Sequence, residues 1–134
     1  MDKYIEPLLA HGTFVMRVFP SQESEIVKAV TGDMEFFRDD LNIFSLKITF
    51  ENSICKSIKM AFCMDGDKNL LSILYKNTPK EETDTYKPHY GHLLIELPDD
   101  GLEYPLKGMY TTHDRANMGR IHICELPRLE VGAS

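Results

Sequence analysis

LLSILYKN (70–77), TPKEETDTYKP (78–88), HYGHLLIEL (89–97), PDDG (98–101), LEYPLKGMYTT (102–112), HDRANM (113–118) and GRIHICE (119–125) follow one another without a break. Apolar and polar residues alternate within the longer runs, and Pro, Gly, Asp or Asn bounds each of them. This is the pattern of half-buried antiparallel strands joined by turns. It predicts strands over 69–76, 90–97, 102–112 and 119–125.

Working upstream, Ile54 to Met64 alternates as one strand, with Ile54, Lys56, Ile58, Met60, Phe62 and Met64 on one face and Cys55, Ser57, Lys59, Ala61 and Cys63 on the other. Asp65, Gly66 and Asp67 supply the tight turn that follows, since Asp-Gly tolerates positive φ. Before it, residues 43–51 (IFSLKITFE) set Phe44, Leu46, Ile48 and Phe50 against Ser45, Lys47 and Thr49. Residues 13–19 (TFVMRVF) are rich in β-branched and aromatic side chains and stop at Pro20. The stretch 21–37 also admits a short helix after Ser21; a strand from about Glu25 is the preferred reading, with a bulge near Thr31 and Gly32 leading into Met34 to Phe37. Residues 1–11 read as a lead-in or single helical turn outside the core, 12–126 as the barrel domain and 127–134 as a tail.

Eight short antiparallel strands with no α/β alternation predict an all-β fold, a small eight-stranded, up-and-down antiparallel barrel of lipocalin-like kind. At that strand number a closed barrel is just filled or holds one small ligand. The 134 residues suffice for one core. A net charge of −6 argues against a DNA or RNA footprint, which needs clustered Lys and Arg, yet leaves room for a small anionic ligand held by a few donors. Three cysteines without a C-x-x-C pair suggest neither a disulfide framework nor a zinc site, and Cys124 reads as a small buried apolar residue. No run approaches the roughly 20 apolar residues of a membrane helix, so the chain as given reads as soluble.

The order L-x-I-x-Y-x-N-x-P (Leu71, Ile73, Tyr75, Asn77, Pro79), H-Y-G (His89 to Gly91), L-x-G-x-Y-x-T (Leu106, Gly108, Tyr110, Thr112) and G-x-I-x-I (Gly119 to Ile123) resembles the β-strand-rich domain of the SMODS-associating two-transmembrane effectors. These are bacterial antiphage effectors of the CBASS type. The segment from Ile48 to Ser57 looks like that family's Ser-bearing turn between the third and fourth strands, so the resemblance covers residues 12–125. It implies a barrel that binds a cyclic dinucleotide made by a partner nucleotidyltransferase. It also implies two N-terminal membrane helices that disrupt the bacterial inner membrane; this sequence has none, which places the chain at the cytoplasmic face as an excised sensor or a free-standing relative. Homo-oligomerisation is left open.

Tyr75 and Asn77 end one strand and His89 and Tyr90 begin its partner, so a hairpin sets them side by side. Two readings are open: Tyr75 or Tyr90 stacks on a base while Asn77 and His89 meet its edge, or Tyr75 is core and His89 an ordinary loop residue. The resemblance favours the first. Thr112 and Arg115, in the loop between the last two strands, are candidates for phosphate. The candidate ligand-binding set is therefore Tyr75, Asn77, His89, Tyr110, Thr112 and Arg115. Gly91 and Gly108, inside strands, mark either barrel closure or a ligand lying over missing side chains. His89 and His92 fall on opposite faces of a strand, and no nucleophile elbow, P-loop or zinc signature is present, so no cofactor, metal or catalytic residue is expected. The preferred function is a cyclic dinucleotide receptor without chemistry of its own. A soluble carrier of a small apolar ligand and a histidine-dependent nucleotide hydrolase are the alternatives.

Overall fold

The computed structural model describes residues 2–20, 30–84, 86–113 and 118–125. One helix, α1 (Asp2–His11), precedes eight strands: β1 (Thr13–Pro20), β2 (Val30–Arg38), β3 (Phe44–Thr49), β4 (Ser53–Asp65), β5 (Lys68–Pro79), β6 (His89–Leu97), β7 (Leu106–Thr112) and β8 (Met118–Glu125). Each strand pairs antiparallel with the next, and β1 pairs with both β2 and β8, which closes the barrel in simple up-and-down order. Closure removes the exposed strand edges that an open sheet of this length would present.

The period-2 pattern sets the inside of the barrel. On β2, Met34 and Phe36 are buried while their neighbours face water. On β5 and β6 the odd positions are buried, among them Leu71, Ile73, Tyr75, Leu93 and Ile95. β4 changes frame once. Ser57 pairs with Tyr75 and Lys59 with Leu74, leaving Ile58 as an extra residue. Ser53 and Cys55 are buried before that bulge, and Met60 and Phe62 pack against the core after it. The single alternation expected over 54–64 therefore fails at Ile58, and Cys55, not Ile54, faces inward.

Other expectations are corrected in the same physical terms. No bulge occurs at Thr31 and Gly32, whose pairings with Arg17 and Met16 are in regular register; residues 21–29 lie outside the described residues. β7 begins at Leu106 instead of Leu102, because Pro105 has no N–H for the ladder. Leu102 and Tyr104 instead pack against the core from the β6–β7 connection. Cys124 is half-buried on the outward face, whereas Cys55 is the buried thiol.

The N-terminal stretch, expected outside the core, is a ten-residue helix that plugs one end of the barrel. Tyr4 and Leu8, four apart and so on one helix face, are 1% and 0% exposed. The Tyr4 hydroxyl donates to the Pro98 carbonyl at 2.9 Å and accepts from Asn69 Nδ2 at 3.2 Å. Pro7 inside the helix costs about 3 kcal/mol. Burying the two large side chains contributes roughly 1.5–3 kcal/mol each, enough to offset it. Gly12, at φ 85°, ends the helix with its N–H on the Leu8 carbonyl. Around this closed end the rings of Phe14, Phe36, Phe44 and Phe62 contact one another in sequence, with centroids 5.5–6.2 Å apart.

Candidate functional site

The end opposite α1 is open. There the barrel holds a cavity of about 770 Å³, inside the range of roughly 300–1,000 Å³ typical of small-molecule sites. Met16, Ile48 and Leu93 form its apolar inner part, and Phe50, Tyr75 and Tyr110 line its walls. Ser53, Cys55, Asn77, Tyr86 and His89 line it on the β4–β5–β6 side, and Thr31 and Thr112 line it as well. Glu51 and Asn52, in the β3–β4 turn, complete the lining.

Three glycines explain why this half of the barrel is hollow. A β-carbon on Gly32 would lie 2.7 Å from Phe50 Cε1, and one on Gly119 would lie 2.8 Å from Tyr110 Cε1. One on Gly91 would overlap the phenol end of Tyr75. Gly91 and Gly119 are the cross-strand partners of Tyr75 and Tyr110. Each aromatic ring thus rests over a neighbouring strand where a side chain is missing, instead of filling the barrel axis. Of the two glycines singled out in the sequence, Gly91 makes room for Tyr75. Gly108 allows close strand approach, since a β-carbon there would strike the Leu94 carbonyl.

The polar side of the cavity is organised by Asn77. Its Nδ2 donates to Ser53 Oγ at 3.0 Å and to Cys55 Sγ at 3.0 Å, and its Oδ1 accepts from the Tyr86 hydroxyl at 3.3 Å. Both amide hydrogens are therefore used within the protein. His89 Nδ1 lies 3.3 Å from the Lys87 carbonyl. A carbonyl only accepts, so this bond puts the proton on Nδ1 and leaves Nε2 as the second ring nitrogen. The Tyr86 and His89 rings are 6.4 Å apart.

Burial pushes the Cys55 thiol up to about 11, a rise that the Asn77 hydrogen bond partly opposes. Burial also raises the Tyr75 phenol, helped by neighbouring Cys55 and Tyr110, and it raises Tyr110. All three are neutral at physiological pH, so they present apolar surface and neutral polar atoms instead of charge. Among the described residues lining the cavity there is no Lys or Arg.

The structure brings Tyr75, Asn77, His89, Tyr110 and Thr112 to this one cavity. Arg115 lies outside the described residues. Tyr90, the alternative stacking residue, points outward and is 49% exposed. His92 likewise faces out, with Nε2 2.8 Å from Ser72 Oγ. Sequence reasoning missed Phe50, Cys55 and Tyr86 as lining residues. A lone tyrosine in the polar stretch 78–88 was the available signal for Tyr86. A second, smaller groove of about 480 Å³ lies at the closed end, beside Asn69, Asp99 and Tyr104. Among the described residues no cluster of His, Cys, Asp and Glu could hold a metal ion, and no helix is long and apolar enough to cross a membrane.

A family model described as Cap15, cyclic dinucleotide receptor domain, matches residues 12–125, which is β1 through β8 without α1. No curated protein matches the chain.

Proposed function

The chain belongs to the family of Cap15 cyclic dinucleotide receptor domains, the receptor domains of CBASS effectors, and from that premise we propose that the open-end cavity is where it takes its cyclic dinucleotide. The observation that carries the assignment is the set of aromatic rings held against the barrel wall by Gly32, Gly91 and Gly119. They offer flat apolar faces beside placed polar groups, the combination that nucleobases require. Tyr75 and Tyr110 take the bases. Thr112 and Arg115 take phosphate, and His89 meets a base edge through Nε2.

The domain binds without chemistry of its own. In support, burial holds Cys55 and both tyrosines in their protonated, poorly nucleophilic forms. The apolar-carrier reading loses support because Ser53, Asn77, His89 and the two threonines line the cavity, polar groups that a nucleotide can meet and an apolar ligand cannot. A partner nucleotidyltransferase makes the ligand, and binding activates membrane-disrupting helices joined upstream of α1, at the end of the barrel opposite the mouth.

Thermal melting with a panel of cyclic di-GMP, cyclic di-AMP, cyclic GMP–AMP and cyclic di-UMP, followed by analysis of the recovered nucleotide, tests this function. A raised Tm with intact ligand supports a receptor. Cleaved ligand makes the domain an enzyme, and a Tm raised by fatty acids alone makes it a carrier.

A further inference from the structure

We infer that Tyr86 is a ligand-site residue whose ring the β5–β6 loop presents to the cavity, and that Asn77 is the positioning residue that sets it there. The inference rests on the open-end cavity being the cyclic dinucleotide site. Three observations carry it. Tyr86 lines the cavity although it belongs to a surface loop, and its ring is only half-buried. Its hydroxyl reaches back to Asn77 Oδ1, whose Nδ2 is anchored on Ser53 and Cys55 at the start of β4.

The loop is also braced locally. Tyr86 N–H donates to Thr83 Oγ1 at 2.9 Å, Thr83 N–H donates to the Tyr86 carbonyl at 3.0 Å, and Lys80 N–H donates to the Asn52 carbonyl at 2.8 Å. These bonds tie the loop to itself and to the β3–β4 turn, so the ring is aimed before any ligand arrives. The hydroxyl bond to Asn77 is the long one of the set, at 3.3 Å, and it joins a part-buried loop side chain to a buried one. Asn77 acts through Tyr86 and does not touch the ligand.

The test measures affinity and dissociation rate for whichever cyclic dinucleotide of the four-member panel binds the unaltered chain, in Tyr86→Ala, Tyr86→Phe, Asn77→Ala and the Asn77→Ala/Tyr86→Phe double variant. Loss of the ring in Tyr86→Ala is expected to weaken binding about tenfold, in keeping with one base–aromatic stack, and mostly through faster dissociation. Tyr86→Phe keeps the ring and loses the hydroxyl's bond to Asn77, so the ring is held less firmly and dissociation accelerates a fewfold. The double variant is expected to bind no worse than Asn77→Ala alone, within about twofold. Losses that multiply would place Asn77 on the ligand and overturn the positioning role. If Asn77→Ala does not fold, the Tyr86 pair decides: unchanged affinity and dissociation in Tyr86→Ala overturns the role of Tyr86 while leaving the cavity assignment standing. Failure of the unaltered chain to bind any of the four nucleotides sinks both.

Discussion

Replacing Gly91 with alanine would put a methyl group where the Tyr75 phenol lies, and 2.7 Å from the Thr111 carbonyl across the β6–β7 ladder. Both a buried ring and a strand must shift, which places the cost toward the upper end of the 1–3 kcal/mol seen for overpacked cores. Alanine recovers about 0.5–1 kcal/mol in a strand relative to glycine, leaving a net loss of roughly 2 kcal/mol. For a domain of this size that is a Tm lowered by about 6–8 °C. Tyr75 has only the cavity to move into, so cyclic dinucleotide affinity should fall by about tenfold as well. Calorimetric melting and titration measure both effects. Tyr75→Leu in the Gly91→Ala background should relieve most of the ring clash, giving a coupling of about 1–2 kcal/mol in a double-mutant cycle. A Gly91→Ala protein that melts within about 1 °C of the unaltered chain and keeps its affinity would refute the idea that glycines hold the rings against the wall.

Tyr4→Ala should lower stability by about 3 kcal/mol, measured by urea unfolding, because it empties a fully buried ring site and removes the bond to Pro98, while ligand affinity at the far end changes little. Stability should be insensitive to Cys55 below pH 9 and fall between pH 9 and about 11, since the unfolded thiol ionises first and the buried one resists. The upward shift contributes roughly 2–3 kcal/mol that is lost across that window, and the raised phenol of Tyr75 acts in the same sense. Under native conditions exposed Cys63 should alkylate first and Cys55 only on unfolding, as peptide mass mapping would record. Arg115→Ala should weaken ligand binding about tenfold and flatten its salt dependence, read by titration at two ionic strengths.

Much of this fold was legible because alternation with period 2 leaves little freedom in a closed barrel. Leu71, Ile73, Tyr75, Asn77 and His89, Gly91, Leu93, Ile95 fall on one face from spacing alone, and that face is the interior. The same rule brought Tyr75, Asn77, His89, Tyr110 and Thr112 to a single end, because β5, β6 and β7 all have their site-bearing ends there. What alternation could not reveal were the exceptions to it. A one-residue bulge at Ile58 reverses the inward face of β4 and hides Cys55 from a periodic reading. Phe50 shares a face with Leu46 and Ile48 by alternation, but spacing along β3 does not tell that its ring lines the open-end cavity. The role of α1 depends on tertiary packing that outweighs the Pro7 penalty, so a weak local signal concealed Tyr4 and Leu8 in the core. The donors of Asn77 are used up by Ser53 and Cys55, a fact of three-dimensional placement that no spacing encodes.

Methyl-resolved NMR of the isotope-labelled chain, titrated with the cyclic dinucleotide that raises its Tm, reads the location of the ligand directly. Resonances of Met16, Ile48 and Leu93, which line the open-end cavity, should shift saturably while those of Leu97 and Leu106, beside the closed-end groove, stay in place. Shifts confined to Leu97 and Leu106 would put the ligand at the α1 end and contradict the cavity as the receptor site.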